Sequence, residues 1–434
     1  MDPVIISTVI ILFMFLLLAI GLPIGFAMGA SGTTGAILLI GFEPAMSLMG
    51  NKFYETTLNY VFSTLPLFIL MGAFASKAGI SQAIYRACYT WFGYRRGGLA
   101  LATIGSCGLF AAISGSSLAT AATMTSIALP EMKRYGYDDK LSTGSIAAGG
   151  TVGILIPPSV LMVIYGLLTE TSIGQLFMAG ILPGVLLVLI YMITVSIVTN
   201  IWPHMGPRGA KTTAKEKLYA FKDVGPTMLL FALVIGGIYT GTFSPEEAAG
   251  IGASGALVLG ILNGSLRFKE FFECLMESVK TTSMVFTILF GALLFNDFLV
   301  LSDLTRSLST WIEGLPFPPV VVIIVILCIY LVLGCALDTL AMVLLTVPIF
   351  FPVILNLGYD RVWFGIIVVL VVELGLITPP IGMNVFVISG MAKEVPLIDI
   401  FKGVTPFVFA QILIIAIVLA WPELALLLPH SMNL

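Results

Sequence analysis

Apolar runs as long as a bilayer is thick recur along this chain, from VIISTVIILFMFLLLAI at residues 4–20 almost to the C-terminus. A helix needs about 20 such residues to cross the hydrocarbon core, and in lipid every backbone N–H and C=O must be satisfied within the protein. Runs of that length predict an all-α polytopic membrane protein. Composition agrees, with 59% hydrophobic and 10% charged residues, against roughly 25% charged in a typical soluble domain. No stretch is left for a sizeable soluble domain, and the expected surroundings are a lipid bilayer, with no nucleic acid. The first run follows only Met, Asp and Pro, without the basic segment and cleavage site of a secretory signal, so it is read as a retained helix. A net charge of −3 says little, because placement of charge matters more than its sum. Cys88, Cys107, Cys274, Cys328 and Cys335 have no metal-ligand spacing, and no disulfide framework is expected.

Ten crossings are expected, near residues 4–20, 23–41, 58–76, 141–168, 176–200, 225–241, 245–262, 281–300, 362–390 and 404–428. Residues 98–130 and 318–353 are too long for one crossing and too short for two plus a turn, at about 1.5 Å of rise per residue. Each fits a re-entrant hairpin, which lipid tolerates when the tip is buried in protein or lines a watery cavity. A single tilted helix with a buried loop is the alternative. With the N-terminus outside and ten crossings, every Lys and Arg except Lys52, Arg306 and Arg361 falls on the cytoplasmic side. That is the distribution basic residues adopt, and it requires that neither hairpin cross. Both termini are then periplasmic. Trp311, Trp363 and Trp421 fall near outer helix ends, and Trp91 and Trp202 near inner ones.

GILIPPS at residues 153–159 returns as GLITPPI at 375–381, an offset of 222. The same offset relates Pro23 to Pro245, Pro130 to Pro352, and Gly136-Tyr137-Asp138 to Gly358-Tyr359-Asp360. GASG also recurs, at 29–32 and 252–255. The chain therefore reads as two repeats, 1–203 and 224–434, joined by a polar basic segment at 204–223 that suits a cytoplasmic linker or surface-lying helix. In the topology above the first repeat opens outside and the second inside, so the repeats are inverted.

Inverted repeats with helices broken near the midplane point to a secondary transporter. Pro157 and Pro158 remove two backbone donors, and Gly153 loosens the turn before them; Pro379 and Pro380 do the same in the second repeat. Freed carbonyls can coordinate Na⁺, and the following half-helix offers its N-terminus to an anion. An ordinary proline kink accounts for one such break, but less readily for a matched pair. The first hairpin tip, ISGSSLATAATMT at 113–125, is crowded with hydroxyls, and the second, LGCALDTLAM at 333–342, carries an acid. By the offset Ser116 corresponds to Asp338 and Ser117 to Thr339. Hydroxyls and carbonyls are the hard ligands an alkali cation takes, although small residues also serve close helix packing. An acid at membrane depth is costly unless functional or paired, which singles out Asp338. Glu373 is similar, or braces the broken helix. Ser159 and Asn384, just beyond the breaks, are further substrate-proximal candidates. No Lys or Arg is expected at the midplane, so an anionic substrate would rest on helix N-termini, hydroxyls and bound cations.

These residues resemble the large membrane subunit of tripartite ATP-independent periplasmic (TRAP) transporters. The resemblance covers essentially the whole chain and is carried by LPIGFAMGASG at 22–32, GTFSPEEAAGIGASG at 241–255, GILIPPS, GLITPPIGMN and the two Gly-Tyr-Asp triplets. It implies a Na⁺-driven importer of organic anions in the bacterial inner membrane, in which a hairpin-bearing transport domain moves as an elevator against a scaffold. It also implies two partners, a periplasmic substrate-binding protein and a small four-helix membrane subunit. The small subunit is expected as a separate chain, because the first span begins at residue 4. Carried over by position, the cation sites fall on Ser114, Ser116, Ser117, Gly150 and Gly153 in one half, and on Gly334, Asp338, Thr339, Gly375 and Thr378 in the other. No cofactor or transition metal is implied.

Rival readings explain less. An intramembrane enzyme would need chemistry that His204 and His430, the only histidines, do not supply at span ends, and neither HExxH nor GxSxG occurs. A channel would favour continuous polar stripes, whereas polarity here gathers at two tips and two breaks. A stand-alone Na⁺-coupled carboxylate carrier is the nearest alternative. For substrate, sialic acid and C4-dicarboxylates are the expected classes, with overall similarity leaning to a sialic-acid-type sugar acid.

Overall fold

The computed structural model of the 434-residue chain describes residues 3–209, 211–313, 316–334 and 337–432. Among them the regular elements are all helical. The first half comprises α1 (Pro3–Ala19), α2 (Ile24–Ile40), α3 (Phe42–Leu58), α4 (Thr64–Lys77) and α5 (Ile80–Phe92). A helical hairpin follows, α6 (Gly98–Ser114) and α7 (Ser117–Arg134), then α8 (Asp139–Thr151), α9 (Val160–Thr169) and α10 (Ile173–Ile201). The second half comprises α11 (Ala214–Tyr239), α12 (Pro245–Leu262), α13 (Phe268–Leu301) and α14 (Leu304–Glu313). Its hairpin is α15 (Pro319–Gly334) and α16 (Thr339–Asn356), followed by α17 (Arg361–Gly375), α18 (Met383–Met391), α19 (Leu397–Ala420) and α20 (Glu423–His430).

Helix ends follow the 222-residue offset closely: α7 and α16 begin and end at equivalent positions, as α8 and α17 begin. The aspartates of the two Gly-Tyr-Asp triplets explain those shared starts. Asp138 caps α8 by accepting from Lys140 N at 2.8 Å, and Asp360 caps α17 by accepting from Val362 N and Trp363 N at 2.8 and 2.9 Å. An N-cap carboxylate satisfies amides that the helix leaves unpaired. The halves differ at α3 and α4, which together correspond to the single helix α13. Asn59 accepts from Val61 N at 3.0 Å to start a short 3-10 turn, and Pro66 fits only the first turn of the helix that follows. The equivalent positions in α13 are Thr281 and Ile288, so that helix runs on.

Several expected boundaries move. Among the described residues, five helical segments are long and apolar enough to cross a membrane: Tyr60–Lys77, Ile173–Ile201, Phe268–Leu301, Thr339–Asn356 and Leu397–Ala420. Of the other expected crossings, 4–20, 23–41 and 245–262 correspond to α1, α2 and α12, 225–241 falls within the longer α11, and 141–168 and 362–390 are each divided into two. The segment at 204–223 is not a linker throughout, because α11 starts at Ala214, where Thr213 and Glu216 form a capping box. The last expected span, 404–428, becomes α19 and α20, parted at Trp421-Pro422. Trp363 is not interfacial: it is buried, stacked on Tyr359, and donates Nε1–H to Val418 O at 2.9 Å. Trp91, Trp202 and Trp421 are exposed, while the side chain of Trp311 and all of Cys335 lie outside the described residues. Cys88, Cys107, Cys274 and Cys328 are free thiols.

Close packing rests on small residues. α2 lies along α13, and α12 along α4, so the two GASG strings perform the same task in each half. A Cβ on Gly32 would fall 2.6 Å from Phe295 N, and one on Gly252 would fall 2.4 Å from Met71 Sδ. The tightest approach in the first pair joins Gly291 to Gly25 O, where a Cβ would clash with backbone. Without a hydrophobic drive between helices in lipid, such contact is a main source of association. α17 is buried from Val362 to Gly375, and α8 from Leu141 to Thr151, so the two broken helices form the centre. Lys133 pairs with Glu394, and Lys140 lies 3.9 Å from Asp399, which ties the ends of α7 and α8 to the loop and helix beyond α18.

Gly291→Val should lose at least about 1–3 kcal/mol through overpacking against backbone that cannot yield. Gly250→Ala, where an added Cβ meets nothing within 4 Å, should be tolerated. Thermal unfolding of both purified variants in detergent checks this.

Candidate substrate and ion site

The first hairpin turns at Gly115, whose positive φ of 59° favours glycine. Ser116 then caps α7, accepting from Ala119 N at 3.3 Å. Ser114 Oγ and Thr120 Oγ1 lie 2.8 Å apart, and Thr120 Oγ1 also donates to Ser116 O at 2.8 Å. The hydroxyl-rich tip is thereby folded onto its own backbone. Opposite it, α8 ends at Thr151 and passes through a 3-10 turn at Val152–Ile154. Pro157 and Pro158 occupy the gap, joined by a cis peptide, and Ser159 restarts the chain as α9 by accepting from Met162 N at 3.3 Å. Tip and break touch: a Cβ on Gly153 would lie 3.1 Å from Ser116 O, and one on Gly150 would lie 3.3 Å from Ser117 O.

The second half repeats the arrangement with different chemistry. Asp338 caps α16, and its Oδ1 accepts from Leu340 N and Ala341 N, both at 3.0 Å. Part of the carboxylate is therefore spent on the helix start. Gly334 meets Gly375 so closely that a Cβ on Gly375 would sit 2.8 Å from Gly334 Cα. Beyond Gly375, Thr378 Oγ1 donates to Leu374 O at 2.6 Å, and a cis peptide joins Pro379 to Pro380. Asn384 N donates to Leu376 O at 3.1 Å as α18 begins.

Two side-chain contacts lock one half to the other beneath the tips. Ser117 Oγ donates to Glu373 Oε2 at 2.6 Å, and Asn384 Nδ2 donates to Ala147 O at 3.3 Å. Glu373 and Asn384 are fully buried, and Glu373 Oε1 and Asn384 Oδ1 find no partner among the described residues. A nearby chain runs from Thr151 through Tyr191 to Gln411, with Tyr191 OH donating to Gln411 Oε1 at 2.7 Å.

Both tips open onto one cleft of about 440 Å³. Ser114, Ser116 and Ser117 line one part, and Asp338 and Thr339 another. Gly150, Gly153, Gly334, Gly375, Thr378, Glu373, Asn384, Ser159 and the four prolines do not line the cleft, and Pro379 and Pro380 are exposed elsewhere. Three helix starts border it, at Ser117–Ala119, Thr339–Leu340 and Val160–Leu161, bringing amides and positive dipole ends to the same space. The far wall comes from α4 and α13, and its polar groups, Ser76, Lys77, Glu277 and Thr281, are not evident from the repeat pattern. Glu277 and Thr281 share a face at a spacing of four residues, the one local signal that could have singled them out. A basic side chain does reach the rim, where Lys77, the last residue of α4, lines the cleft and pairs with Glu273 at 3.1 Å.

A buried core of apolar helices, with two hairpins whose tips share a cleft, is the kind of architecture that membrane transporters use. The fold resembles two solved transporters at low sequence identity. YdaH of Alcanivorax borkumensis has a TM-score of 0.60 and 14% identity over 97% of this chain and 99% of that one. MtrF of Neisseria gonorrhoeae has a TM-score of 0.61 and 14% identity over 96% and 94%. Sequence narrows the class further. The chain belongs to the family described as "Tripartite ATP-independent periplasmic transporter, DctM component", whose profile matches residues 11–424. It is 36% identical to the C4-dicarboxylate TRAP transporter large permease protein DctM of Pseudomonas aeruginosa, covering 93% of this chain and 94% of that protein. The sialic acid TRAP transporter large permease protein SiaM of Vibrio cholerae is 31% identical, over 95% and 96%. The isethionate TRAP transporter permease protein DctMQ of Oleidesulfovibrio alaskensis is 32% identical over 87% of this chain, which spans 59% of that protein's length. The family comprises transporter permeases and not enzymes.

Ser117→Ala removes the donor to a buried carboxyl and should lower stability by about 1–3 kcal/mol, the cost of an unsatisfied buried acceptor. Ser117→Thr retains a hydroxyl and should keep most of it. Detergent melting curves of the two variants distinguish these outcomes.

Proposed function

We propose that this chain is the permease subunit of a Na⁺-coupled importer of small organic anions, acting with a separate small membrane subunit and a periplasmic binding protein in the bacterial inner membrane. One observation carries the reading: the two hairpin tips, 222 residues apart in sequence, line the same cleft. Two inverted repeats with re-entrant hairpins would bring their tips together in this way, entering from opposite faces. The three helix starts and Lys77 supply positive potential for a carboxylate. Hydroxyls and carbonyls at the tips and breaks supply hard oxygen ligands for Na⁺, and the unpartnered oxygens of Glu373 and Asn384 add buried sites able to accept a cation.

The mechanism proposed is an elevator. α6 to α9 and α15 to α18 carry the tips and breaks, and α4 and α13 form the wall against which they move. Lys77 ends α4 and Glu277 lies in the part of α13 before residue 281, segments that the charge distribution assigns to the cytoplasmic side, so in this reading the cleft faces the cytoplasm and both chain termini face the periplasm. For substrate, the 36% identity to a C4-dicarboxylate permease exceeds the 31% to a sialic acid permease, which puts dicarboxylates first for testing.

The test is initial uptake of labelled acids into proteoliposomes containing the chain and both partners, under an imposed Na⁺ gradient. Gradient-driven uptake that requires all three components is expected; equal uptake by the purified chain alone would instead establish a stand-alone carrier. Asp338→Asn separates the two roles of that residue, since Asn caps helices about as well as Asp. It should melt like the parent yet need more Na⁺ for half-maximal uptake. Asp338→Ala should abolish uptake, and Ser116→Ala should raise the Na⁺ requirement. Unchanged Na⁺ curves in all three variants would place cation binding away from the tips.

A further inference from the structure

A second pocket, sharing no residue with the transport cleft, opens where the end of α5, the start of α6, the end of α10 and the segment beyond α10 meet. It encloses about 390 Å³. Four cations line it, Arg95, Arg96, Arg208 and Lys211, and no acidic residue does. None of the four forms an ion pair among the described residues. Thr199 and Asn200 add neutral hydrogen-bonding groups to the wall.

The backbone is laced together to make this pocket. Gly97 N donates to Gly206 O at 2.9 Å and Gly209 N to Gly93 O at 3.0 Å. Thr212 Oγ1 donates to Thr90 O at 2.7 Å, and Tyr137 OH to Pro207 O at 2.9 Å. These bonds hold Arg208 and Lys211 against the turn that carries Arg95 and Arg96. Gathering four like charges in one concavity is unfavourable without a counter-anion. Arg95 also holds Tyr94 in the wall: its Nε donates to Tyr94 OH at 3.2 Å, and that bond with the Arg95 charge lowers the phenol below its usual range.

The surroundings identify the anion's carrier. Trp91 and Trp202, close in sequence to the pocket residues Tyr94 and Asn200, are 41% and 49% exposed, as side chains at headgroup level are. Leading away from it along α10, Ile193, Ile197 and Ile201 form an i, i+4 row, each more than half exposed, which is a lipid-facing stripe. A phosphate in the pocket and an acyl chain on that stripe are the two ends of one phospholipid. We propose that the pocket binds the phosphate-bearing headgroup of an anionic phospholipid, with an acyl chain along Ile193, Ile197 and Ile201, and that the bound lipid clamps residues 206–209 and 211–212 onto the turn between α5 and α6. The clamp bears on the connection between the two halves, since α11 starts at Ala214 and packs on α5.

The test uses the purified, delipidated full chain. In one arm phosphatidylglycerol is titrated and bound lipid is counted by native mass spectrometry, with phosphatidylcholine of the same chains as control. In the other arm inorganic phosphate is titrated by calorimetry. Arg96→Gln with Arg208→Gln should weaken phosphatidylglycerol binding roughly thirtyfold, and Lys211→Gln alone roughly fivefold. Lys269→Gln, on the exposed start of α13, should leave it unchanged. Phosphatidylglycerol binding without phosphate binding supports the lipid clamp. Phosphate binding lost in the same variants supports the anion pocket but reassigns its ligand to a free anion, overturning the acyl-chain part. Phosphatidylglycerol that binds no better than phosphatidylcholine, with no heat from phosphate, overturns the proposal, as does parent-like binding by folded variants.

Discussion

A helix broken inside a bilayer exposes amides and carbonyls that lipid cannot satisfy, and the rest of this structure follows from how the protein encloses two such breaks. At each one a glycine on the broken helix admits a hairpin tip to near contact, Gly153 against Ser116 and Gly375 against Gly334. Local bonds finish the second break, where Thr378 Oγ1 takes Leu374 O and Asn384 N takes Leu376 O. Once enclosed, the first break and the two hairpin turns aim the starts of α9, α7 and α16 at a shared cleft, and those starts supply donors and positive potential without a basic side chain at the centre. The same constraint explains why α8 and α17 are buried almost throughout: no lipid can be allowed near them.

Equivalent positions do similar structural work with different chemistry. Ser116 and Asp338 both cap the second helix of their hairpin, yet only Asp338 brings a charge to the cleft. Beneath the tips the halves are stitched asymmetrically, Ser117 to Glu373 and Asn384 to Ala147, with one oxygen of each acidic or amide side chain left over. Two cation sites built on such a frame need not be equivalent.

Much of this was legible in the sequence because lipid imposes strict rules. Run length exposed the helices, the 222-residue offset tied hairpin to hairpin, and paired prolines marked the breaks. Other features lay outside those rules. α3 mixes Glu43, Asn51, Lys52 and Glu55 with apolar residues, so it carries no run to detect. Trp363 looked interfacial by its place near a helix end, and only tertiary packing against Tyr359 and Val418 buries it. Ser76, Lys77, Glu277 and Thr281 reach the cleft because α4 and α13 happen to face the tips, a relation between distant segments that no local pattern encodes. The caps by Asp138 and Asp360 show the reverse case, a conserved-looking internal triplet whose reason is a local helix start.

The central claim, that both hairpin tips border one transport site, is tested most directly by substrate protection. In the assembled system, with Cys328 and Cys335 replaced, Ser116→Cys and Thr339→Cys are labelled separately with a maleimide. Substrate together with Na⁺ should slow labelling at both positions over the same concentration range, while a cysteine at the exposed Lys269 stays unaffected. Protection at one tip only, or at neither while uptake persists, would contradict a shared site.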